Sequence, residues 1–406
     1  MTRRGAVRSG PVIVLGGAAV QAEAVLAAHA LGREAHVVAA QCGHAARESA
    51  DAVVQLDLTD VDAVTRYAEQ VGASAVCSVG SDLAMPVVAE VSERLGLHSP
   101  ASLPTTQLCH EKHLVRERLR DAPGSVRHAL VSRTTDLPAA LAPPVVVKPD
   151  DGQGQRGLTL VTSAAQLEPA LAHALSSSRT GTVLVEEHVP GPELSVNGYL
   201  RDGELVFVGV SDRVVWPEEF GLVRAHTFPS LAGERDVVEA VGVLDAACRA
   251  IGLREGPVYA QMILGPTGVR LVEVSPRLDG CHLWRLWRAV TGHDLLTTTI
   301  AAACGEADGL PPSRAIRPVA PVRPRVDEPV TTLEFECLPP GTTVIPDDAW
   351  PVASRDASIL ARARYYAPGT VVRTVNGRLE KVAWTLRRET PGSVLEQVGA
   401  LGANAR

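Results

Sequence analysis

Short apolar runs alternate with stretches of helical composition over the first hundred residues. Four of these runs, at residues 12–15, 37–40, 52–56 and 75–79, have the length and composition of buried strands. This order is typical of repeated βαβ units, which form a parallel sheet covered by helices. It predicts an α/β domain at residues 1–100.

Gly16 and Gly17 follow the first predicted strand, where a dinucleotide-binding domain carries its glycine fingerprint. The G-x-G-x-x-G spacing is absent, so a nicotinamide-dependent enzyme is disfavoured. Pro100 and Pro104 then indicate a domain boundary.

The chain beyond this boundary is rich in predicted strands. Helices are predicted at 111–120 and 164–174, and strands at 126–131, 144–149, 157–161, 182–189, 194–200, 204–210, 258–264 and 269–274. Six prolines between residues 311 and 329 predict an extended linker, and strands at 371–374 and 381–386 predict a small β-rich unit. The prediction is a multidomain chain of α/β and α+β class, with later domains at 101–310 and 311–406.

The composition excludes several classes of function. An apolar fraction of 46% and a charged fraction of 21% indicate a folded globular chain. The net charge of −7 argues against a nucleic-acid partner, and the lack of a long uncharged apolar run argues against a membrane span. Seven scattered cysteines without C-x-x-C spacing favour free thiols in a reducing cytoplasm over disulfides or a zinc site.

Lysine is rare in this chain. Of 39 lysines and arginines, only Lys112, Lys148 and Lys381 are lysine. A lysine that persists against such a background indicates a position that favours a compact ammonium over a planar guanidinium, unless it persists by chance.

The first chemical motif is the glycine-rich stretch that runs from Lys148 through Gly152 and Gly154 to Gly157, between two predicted strands. Its glycines let backbone N–H groups approach a phosphate, and the lysine adds positive charge. The Walker A spacing is not met, and the alternative is an ordinary hairpin loop.

A second motif, V-E-E-H-V-P-G-P-E, places Glu186, Glu187, Val189 and Glu193 at the end of a predicted strand. Backbone at such an edge can pair with adenine, and a nearby carboxylate can accept ribose hydroxyls. The alternative is a group of solvated glutamates beside a turn.

In the third motif, Glu273, Ser275 and Arg277 alternate along a predicted strand and therefore share one face. Oxygen ligands beside a guanidinium suit Mg²⁺ and phosphate. The alternative is a structural salt bridge.

In this order and spacing, the three motifs resemble those of the ATP-grasp superfamily, and the resemblance covers about residues 10–385. It implies an ATP-grasp fold, in which ATP is clamped between a small lid, at about residues 125–190, and a larger core. It also implies that residues 1–100 are a Rossmann-like pre-ATP-grasp domain.

The resemblance also implies roles for individual residues. Those implied to bind the nucleotide are Lys112, Lys148, the loop glycines Gly152, Gly154 and Gly157, the adenine-site residues Glu186, Glu187 and Val189, and the ribose-site Glu193. Glu273 would hold Mg²⁺, and Arg277 would bind the carboxylate substrate or an acyl phosphate. Residues 211–230 are similar to the substrate-proximal stretch of carboxylate-amine ligases.

Two positions depart from the family pattern. Gln261 stands where a metal-binding glutamate is expected, and Ser275 stands where an asparagine is expected. Both keep an oxygen but weaken the metal site, which puts a two-metal arrangement in doubt. Asp279, in place of a glycine, is a further candidate ligand.

Four aromatic residues near this motif or in the substrate-proximal stretch have simpler interpretations. Trp284 and Trp287 are spaced for one helix face and are predicted to be core rather than pocket lining. His226 and His282 are predicted to be structural or orienting rather than ligands.

The resemblance implies a ligase that joins a small carboxylate to an amine. The carboxylate would attack the γ-phosphate of ATP, giving ADP and an acyl phosphate that the amine captures as an amide. Amino acid and dipeptide ligases are the most similar enzymes. The alternatives are ATP-dependent carboxylation of a small amine and a catalytically weak ATP-binding regulatory protein. The sequence leaves the oligomeric state open, with a homodimer as the commonest assembly.

Overall fold

The computed structural model describes residues 9–152, 154–306, 309–310, 329–346, 357–374 and 379–389. The predicted linker, apart from Pro329, therefore lies outside the described residues.

The N-terminal domain is built on a parallel sheet with the strand order β3-β2-β1-β4. Its elements are β1 (Val12–Leu15), α1 (Ala19–Ala30), β2 (Ala35–Val38), α2 (His44–Ser49), β3 (Ala52–Val54), α3 (Val61–Gln70), β4 (Ala75–Cys77) and α4 (Met85–Leu95). All four residues of β1 are buried, because helices cover both faces of a parallel sheet. The predicted α/β class of this domain is confirmed.

A smaller sheet follows, with the strand order β5-β8-β6-β7 and antiparallel pairing. Its elements are α5 (Leu103–His110), α6 (Lys112–Arg118), β5 (His128–Val131), β6 (Val145–Pro149), β7 (Thr159–Val161), α7 (Leu167–Ser177) and β8 (Val183–Glu187). Val147, Leu171 and Val185 are among the residues that join α7 to the sheet in one apolar cluster. We call this unit the small sheet.

The main sheet has eight strands in the order β13-β12-β9-β10-β11-β14-β16-β15, all antiparallel. Its elements are β9 (Glu193–Arg201), β10 (Glu204–Val215), β11 (Val223–Phe228), α8 (Glu234–Ile251), β12 (Gly256–Gly265), β13 (Gly268–Ser275), α9 (Leu283–Thr291), α10 (Leu295–Ala303), β14 (Val330–Leu338), β15 (Ile359–Arg364) and β16 (Glu380–Glu389). Both predicted hairpins are confirmed.

Alternate residues of the main sheet face two different apolar clusters. Leu200 and Val208 pack with α8, whereas Tyr199 and Phe207 pack with α9, α10 and the N-terminal domain. Trp287 is fully buried in the second cluster, which confirms that the tryptophan pair belongs to the core.

The C-terminal strands extend the main sheet, since β14 pairs with β11 and with β16. The predicted strand at 381–386 lies within β16. The strand predicted at 371–374 is wrong, because Val371 makes only an isolated bridge to Thr343. Within the described ranges, no helix is both long and apolar enough to cross a membrane.

Candidate active site

A cleft of about 2050 Å³ is bordered by the N-terminal domain, the small sheet and the main sheet. Sites for single small molecules usually measure about 300–1,000 Å³, so this cleft has room for more than one ligand. Lys112, Lys148 and Lys381 all line it. All three lysines that the sequence singled out therefore border one cleft.

The glycine-rich loop is tied to the start of α6. Lys112 Nζ donates to the Asp150 carbonyl at 3.3 Å and also to the Gly152 carbonyl. Gly152 and Gly154 line the cleft. Gly157 has a φ of +73°, and a Cβ there would lie 2.7 Å from Pro149 Cγ, so this turn requires glycine.

Lys148 belongs to a buried ion cluster at the end of β6. Its Nζ lies 2.7 Å from Glu186 Oε2, and Arg116 Nε donates to Glu186 Oε1 at 2.5 Å. Arg116 also donates to the carbonyls of Leu271 and Val272, which ties the small sheet to the main sheet. Arg116 was not singled out by sequence reasoning, although it stands four residues after Lys112 and so shares its helix face.

The three charges of this cluster are coupled electrostatically. Burial raises the pKa of Glu186, but Arg116 and Lys148 outweigh that effect and lower it to about 2. Burial lowers the pKa of Lys148, an effect that the glutamate opposes. Glu186 is thus engaged in an ion pair, and its expected contact with adenine stays a prediction.

The remaining residues of the second motif also line the cleft. Glu187 accepts hydrogen bonds from the backbone N and Nε of Arg127, at 2.9 and 2.7 Å. Val189 lines the cleft beside them. Glu193 accepts from Arg213 and from Gln261 Nε2, the latter at 2.7 Å. Their predicted roles toward adenine and ribose are not tested by these contacts.

The predicted metal ligands separate into two groups. Gln261 and Glu273 are cross-strand partners on β12 and β13, and both line the cleft. Because Gln261 Nε2 donates to Glu193, its amide oxygen remains as the donor that a cation needs. Ser275 is buried, and its hydroxyl donates to Asp82.

Asp82 joins the N-terminal domain to the third motif. Arg277 Nε and Nη2 donate to the two Asp82 oxygens at 2.7 and 2.5 Å, a bidentate pair. Burial raises the pKa of Asp82, but Arg277 outweighs it, and the pKa falls to about 2.

Sequence reasoning missed Asp82. It follows β4 at the place where the strand order of the parallel sheet reverses, which is where such sheets bind ligands. That topological position could have identified Asp82 as a candidate site residue from the sequence.

Asp279 caps the turn that leads into α9. Its carboxylate accepts the backbone N–H of Cys281 at 2.5 Å and of Leu283 at 3.1 Å. Both oxygens are thus engaged by backbone, which does not favour a role as a metal ligand.

The far wall of the cleft carries the third lysine. Lys381 Nζ donates to Cys281 Sγ at 3.2 Å and lies 3.9 Å from the centre of the Phe335 ring. Tyr365 and His282 line the cleft nearby. His226 is buried, and burial with the nearby cations Arg213 and Lys381 lowers its pKa well below the usual value.

A second group of potential ligand atoms borders the glycine-rich loop. Glu111, His113 and Asp150 bring one ligand atom each within 4.8 Å of one another. His113 Nδ1 already lies 2.6 Å from Asp150 Oδ2, so these two residues satisfy each other.

A family model for the ATP-grasp domain matches residues 141–283. The chain contains an ATP-grasp domain. The match runs from the small sheet to the start of α9 and includes all three motifs. The resemblance inferred from those motifs is confirmed.

Related proteins extend this finding. Carnosine synthase 1 of Gallus gallus is 33% identical over 187 residues, which are 43% of this chain. The match spans only 20% of that relative's own length.

Solved structures share the ATP-grasp fold over nearly the whole chain. L-amino acid ligase from Bacillus licheniformis superimposes with a TM-score of 0.76 and 16% identity, over 98% of this chain and 97% of its own. The ADP complex of N5-carboxyaminoimidazole ribonucleotide synthetase gives a TM-score of 0.73 and 15% identity, over 99% of this chain and 98% of its own. The predicted fold class is therefore confirmed.

Proposed function

We propose that this protein is an ATP-dependent ligase that forms an amide bond between a carboxylate and an amine through an acyl phosphate. One observation carries the proposal. A glycine-rich loop, two lysines and Arg277 line a single cleft that also presents Glu273 and Gln261. Phosphoryl transfer depends mainly on positioning and on charge stabilisation, and this cleft supplies both.

The residues of the cleft fit a nucleoside triphosphate. Lys112 and Lys148 reach the cleft from α6 and β6, next to the glycine-rich loop. The loop glycines leave space for backbone N–H groups to approach phosphate oxygens. Glu187, Val189 and Glu193 would then border the adenine and the ribose.

The donor set also fits one hard cation. Glu273 offers a carboxylate, and Gln261 offers an amide oxygen beside it. Mg²⁺ normally takes one or two carboxylates together with substrate phosphates, and it would supply positive charge to the triphosphate. Ser275 faces Asp82 instead, so we assign it no ligand role.

The reaction would proceed in two displacements. A carboxylate oxygen attacks the γ-phosphorus, and the bond to the bridging oxygen of ADP breaks. The amine then attacks the acyl carbon, and inorganic phosphate leaves. Arg277 and Lys148 would stabilise the charge on the transferring group.

Amino acids are the proposed class of substrate. A carnosine synthase is among the relatives, and an L-amino acid ligase is among the solved structures that share the fold. Lys381 adds a cation outside the phosphate region, and its contacts among the described residues are with Cys281 and the Phe335 ring rather than with a carboxylate. It would suit an anionic group of one substrate.

The test is coupled ADP release over a matrix of amino acids as acids and amines, followed by mass analysis of the products. Hydroxylamine in a parallel series traps any acyl phosphate as a hydroxamate. ADP and an amide are expected. AMP with pyrophosphate would overturn the proposal.

The same experiment separates the alternatives. Turnover that requires bicarbonate would favour the alternative of an ATP-dependent carboxylase. ATP binding without turnover on any acid would favour a regulatory protein.

The proposal also covers the cellular compartment and the oligomeric state of the enzyme. Seven free thiols suit a reducing cytoplasm, where ATP is abundant. A homodimer is the default assembly, and light scattering of the purified protein would test it.

A further inference from the structure

A carboxylate, an imidazole and a phenol form a continuous chain at the cleft wall. His282 Nδ1 lies 2.8 Å from Glu23 Oε1, and His282 Nε2 lies 3.0 Å from the Tyr365 hydroxyl. Glu23 belongs to α1, His282 precedes α9, and Tyr365 follows β15. The fold therefore brings these groups together from three distant parts of the sequence.

Glu23 is held as an ionised carboxylate. Trp284 Nε1 and Arg285 Nε both donate to its second oxygen, at 2.9 and 2.7 Å. Burial raises the pKa of Glu23, but His282 and Arg285 outweigh that effect and lower it to about 2. An ionised carboxylate beside an imidazole orients the ring and stabilises it when it gains a proton.

The backbone of His282 is held in an unusual conformation. Its φ is +57°, in the left-handed region that non-glycine residues seldom adopt. Asp279 accepts backbone N–H groups from the residues on both sides of it, Cys281 and Leu283. Positions of this kind occur often at functional sites, where the surrounding structure enforces them.

The Glu23–His282–Tyr365 chain borders the cleft that would hold the second substrate. Tyr365 and His282 line the same cleft as Arg277, and His282 follows Arg277 by five residues. The His282 ring also stacks on Tyr365, with centroids 5.7 Å apart. Glu23 and His282 are buried whereas Tyr365 is half-buried, so the phenol is the outermost member of the chain.

An amine substrate needs a proton acceptor. Amino groups have pKa values of about 8 to 10 and are mostly protonated at neutral pH, and an ammonium cannot attack a carbonyl carbon. The phosphate-binding residues offer no neutral base for this step. An imidazole that contacts the cleft through a phenol can serve as one.

We propose that Tyr365, His282 and Glu23 form a proton relay that deprotonates the amine before it attacks the acyl phosphate. The inference rests on the proposed function. Tyr365 Oη takes a proton from the ammonium as its own proton passes to His282 Nε2. The imidazolium is stabilised by the carboxylate of Glu23, whose Oε1 lies 2.8 Å from His282 Nδ1.

The neutral amine then forms the new carbon–nitrogen bond. The bond between the acyl carbon and the phosphate oxygen breaks, and the second N–H proton leaves with the phosphate. His282 returns its proton to solvent after the product departs.

Other ionisable groups face the relay. Burial raises the pKa of Tyr365 well above its usual value, and the nearby acidic groups add to this, so the phenol passes a proton on rather than standing as a phenolate. The groups that bear on the relay are Cys281 and Asp279 from the turn before α9, Cys337 from β14, Arg285 from α9 and, through Cys281, Lys381 from β16.

The experiment compares a protonated amine with hydroxylamine, which is largely unprotonated at neutral pH and needs no base. The acid and the amino acid acceptor are those that the substrate matrix selects. The variants are Tyr365→Phe and His282→Asn, since asparagine tolerates the left-handed backbone. Tyr366→Phe is the matched control, because Tyr366 also lines the cleft but packs beside Val344, Val372 and Val382.

Tyr365→Phe and His282→Asn should lower amide formation at neutral pH by ~10²-fold or more, the usual contribution of a general base. Hydroxamate formation should stay near the wild-type rate in both. The amide rate of the variants should rise steeply with pH, because a larger fraction of the amine is then unprotonated and needs no base. Tyr366→Phe should leave both reactions unchanged.

Three results would refute the relay without contradicting the proposed ligase function. The first is an equal loss of amide and hydroxamate in the Tyr365 variant, the second is an unchanged amide rate, and the third is a wild type that makes hydroxamate but captures no amino acid. A wild type that makes no hydroxamate with any acid instead refutes the proposed function, and the relay with it.

Discussion

Replacing Lys148 by methionine tests whether its ammonium serves the nucleotide or only the buried ion cluster. The substitution keeps the apolar stem and removes the charge. Glu186 would keep its contact with Arg116 Nε at 2.5 Å, so the carboxylate would not be left unpaired. We expect a loss of about 1.5–3 kcal/mol in the free energy of unfolding, the range for a hydrogen bond to a charged group. An unpaired buried charge would cost more, about 3–5 kcal/mol.

The loss of turnover should be larger than this stability change suggests. An ammonium aimed at the transferring phosphoryl group acts mainly in the transition state, and removing one such donor costs ~10²-fold or more. Arg116→Met is the matched control, since it breaks the same cluster from its other side and also loses two carbonyl contacts. It should destabilise the fold more than Lys148→Met does.

The assay combines ADP release with thermal melting in the presence and absence of MgATP. A ligand that binds only the folded state raises its melting temperature, so a lost shift reports lost binding. Near-normal turnover in Lys148→Met, or an unchanged shift with MgATP, would refute the assignment. A larger destabilisation than in Arg116→Met would show that the role is structural.

Three further outcomes follow from the same contacts. Gln261→Glu should lower the Mg²⁺ concentration needed for half-maximal activity and destabilise the metal-free protein, because the new carboxylate faces Glu193; magnesium titration at fixed ATP and melting measure the two effects. Asp82→Asn should weaken both activity and stability, since Arg277 loses its bidentate partner; ADP release and urea unfolding check this. The lowered pKa values of Asp82 and Glu186 stabilise the fold above their unfolded values of about 4, and that stability should be lost as the pH falls towards 2, with a shallower loss in Asp82→Asn.

Local sequence patterns predicted most of the secondary structure. The apolar runs predicted every strand of the N-terminal and small sheets but missed β11, β14 and β15 of the main sheet. They succeed where β-branched side chains are concentrated in one short run, because such side chains favour strands. They did not show that β14 would pair with β11 on one side and with β16 on the other, since register between distant strands depends on three-dimensional packing.

The site was predicted where its residues are close in sequence. The glycine-rich loop, Glu273 and Arg277 were all found as local motifs. Asp82 was missed because its partner lies 195 residues away. Glu23 was missed for the same reason, since its contact with His282 joins α1 to the turn before α9. Ion pairs between domains leave no local pattern.

The charges of the described cleft argue that nucleotide binding depends on a divalent cation. Each of the main cations already has an acidic or carbonyl partner: Lys148 with Glu186, Arg277 with Asp82, Arg213 with Glu193 and Lys112 with the loop backbone. The positive charge left to meet a triphosphate is therefore small, and Glu273 offsets part of it. A triphosphate placed here without a metal ion would face carboxylates almost as numerous as the cations, and such close like charges cost free energy in a partly buried site. ATP should thus raise the melting temperature far more with Mg²⁺ than with EDTA, and an equal shift in both would mean that the phosphates lie away from Glu273.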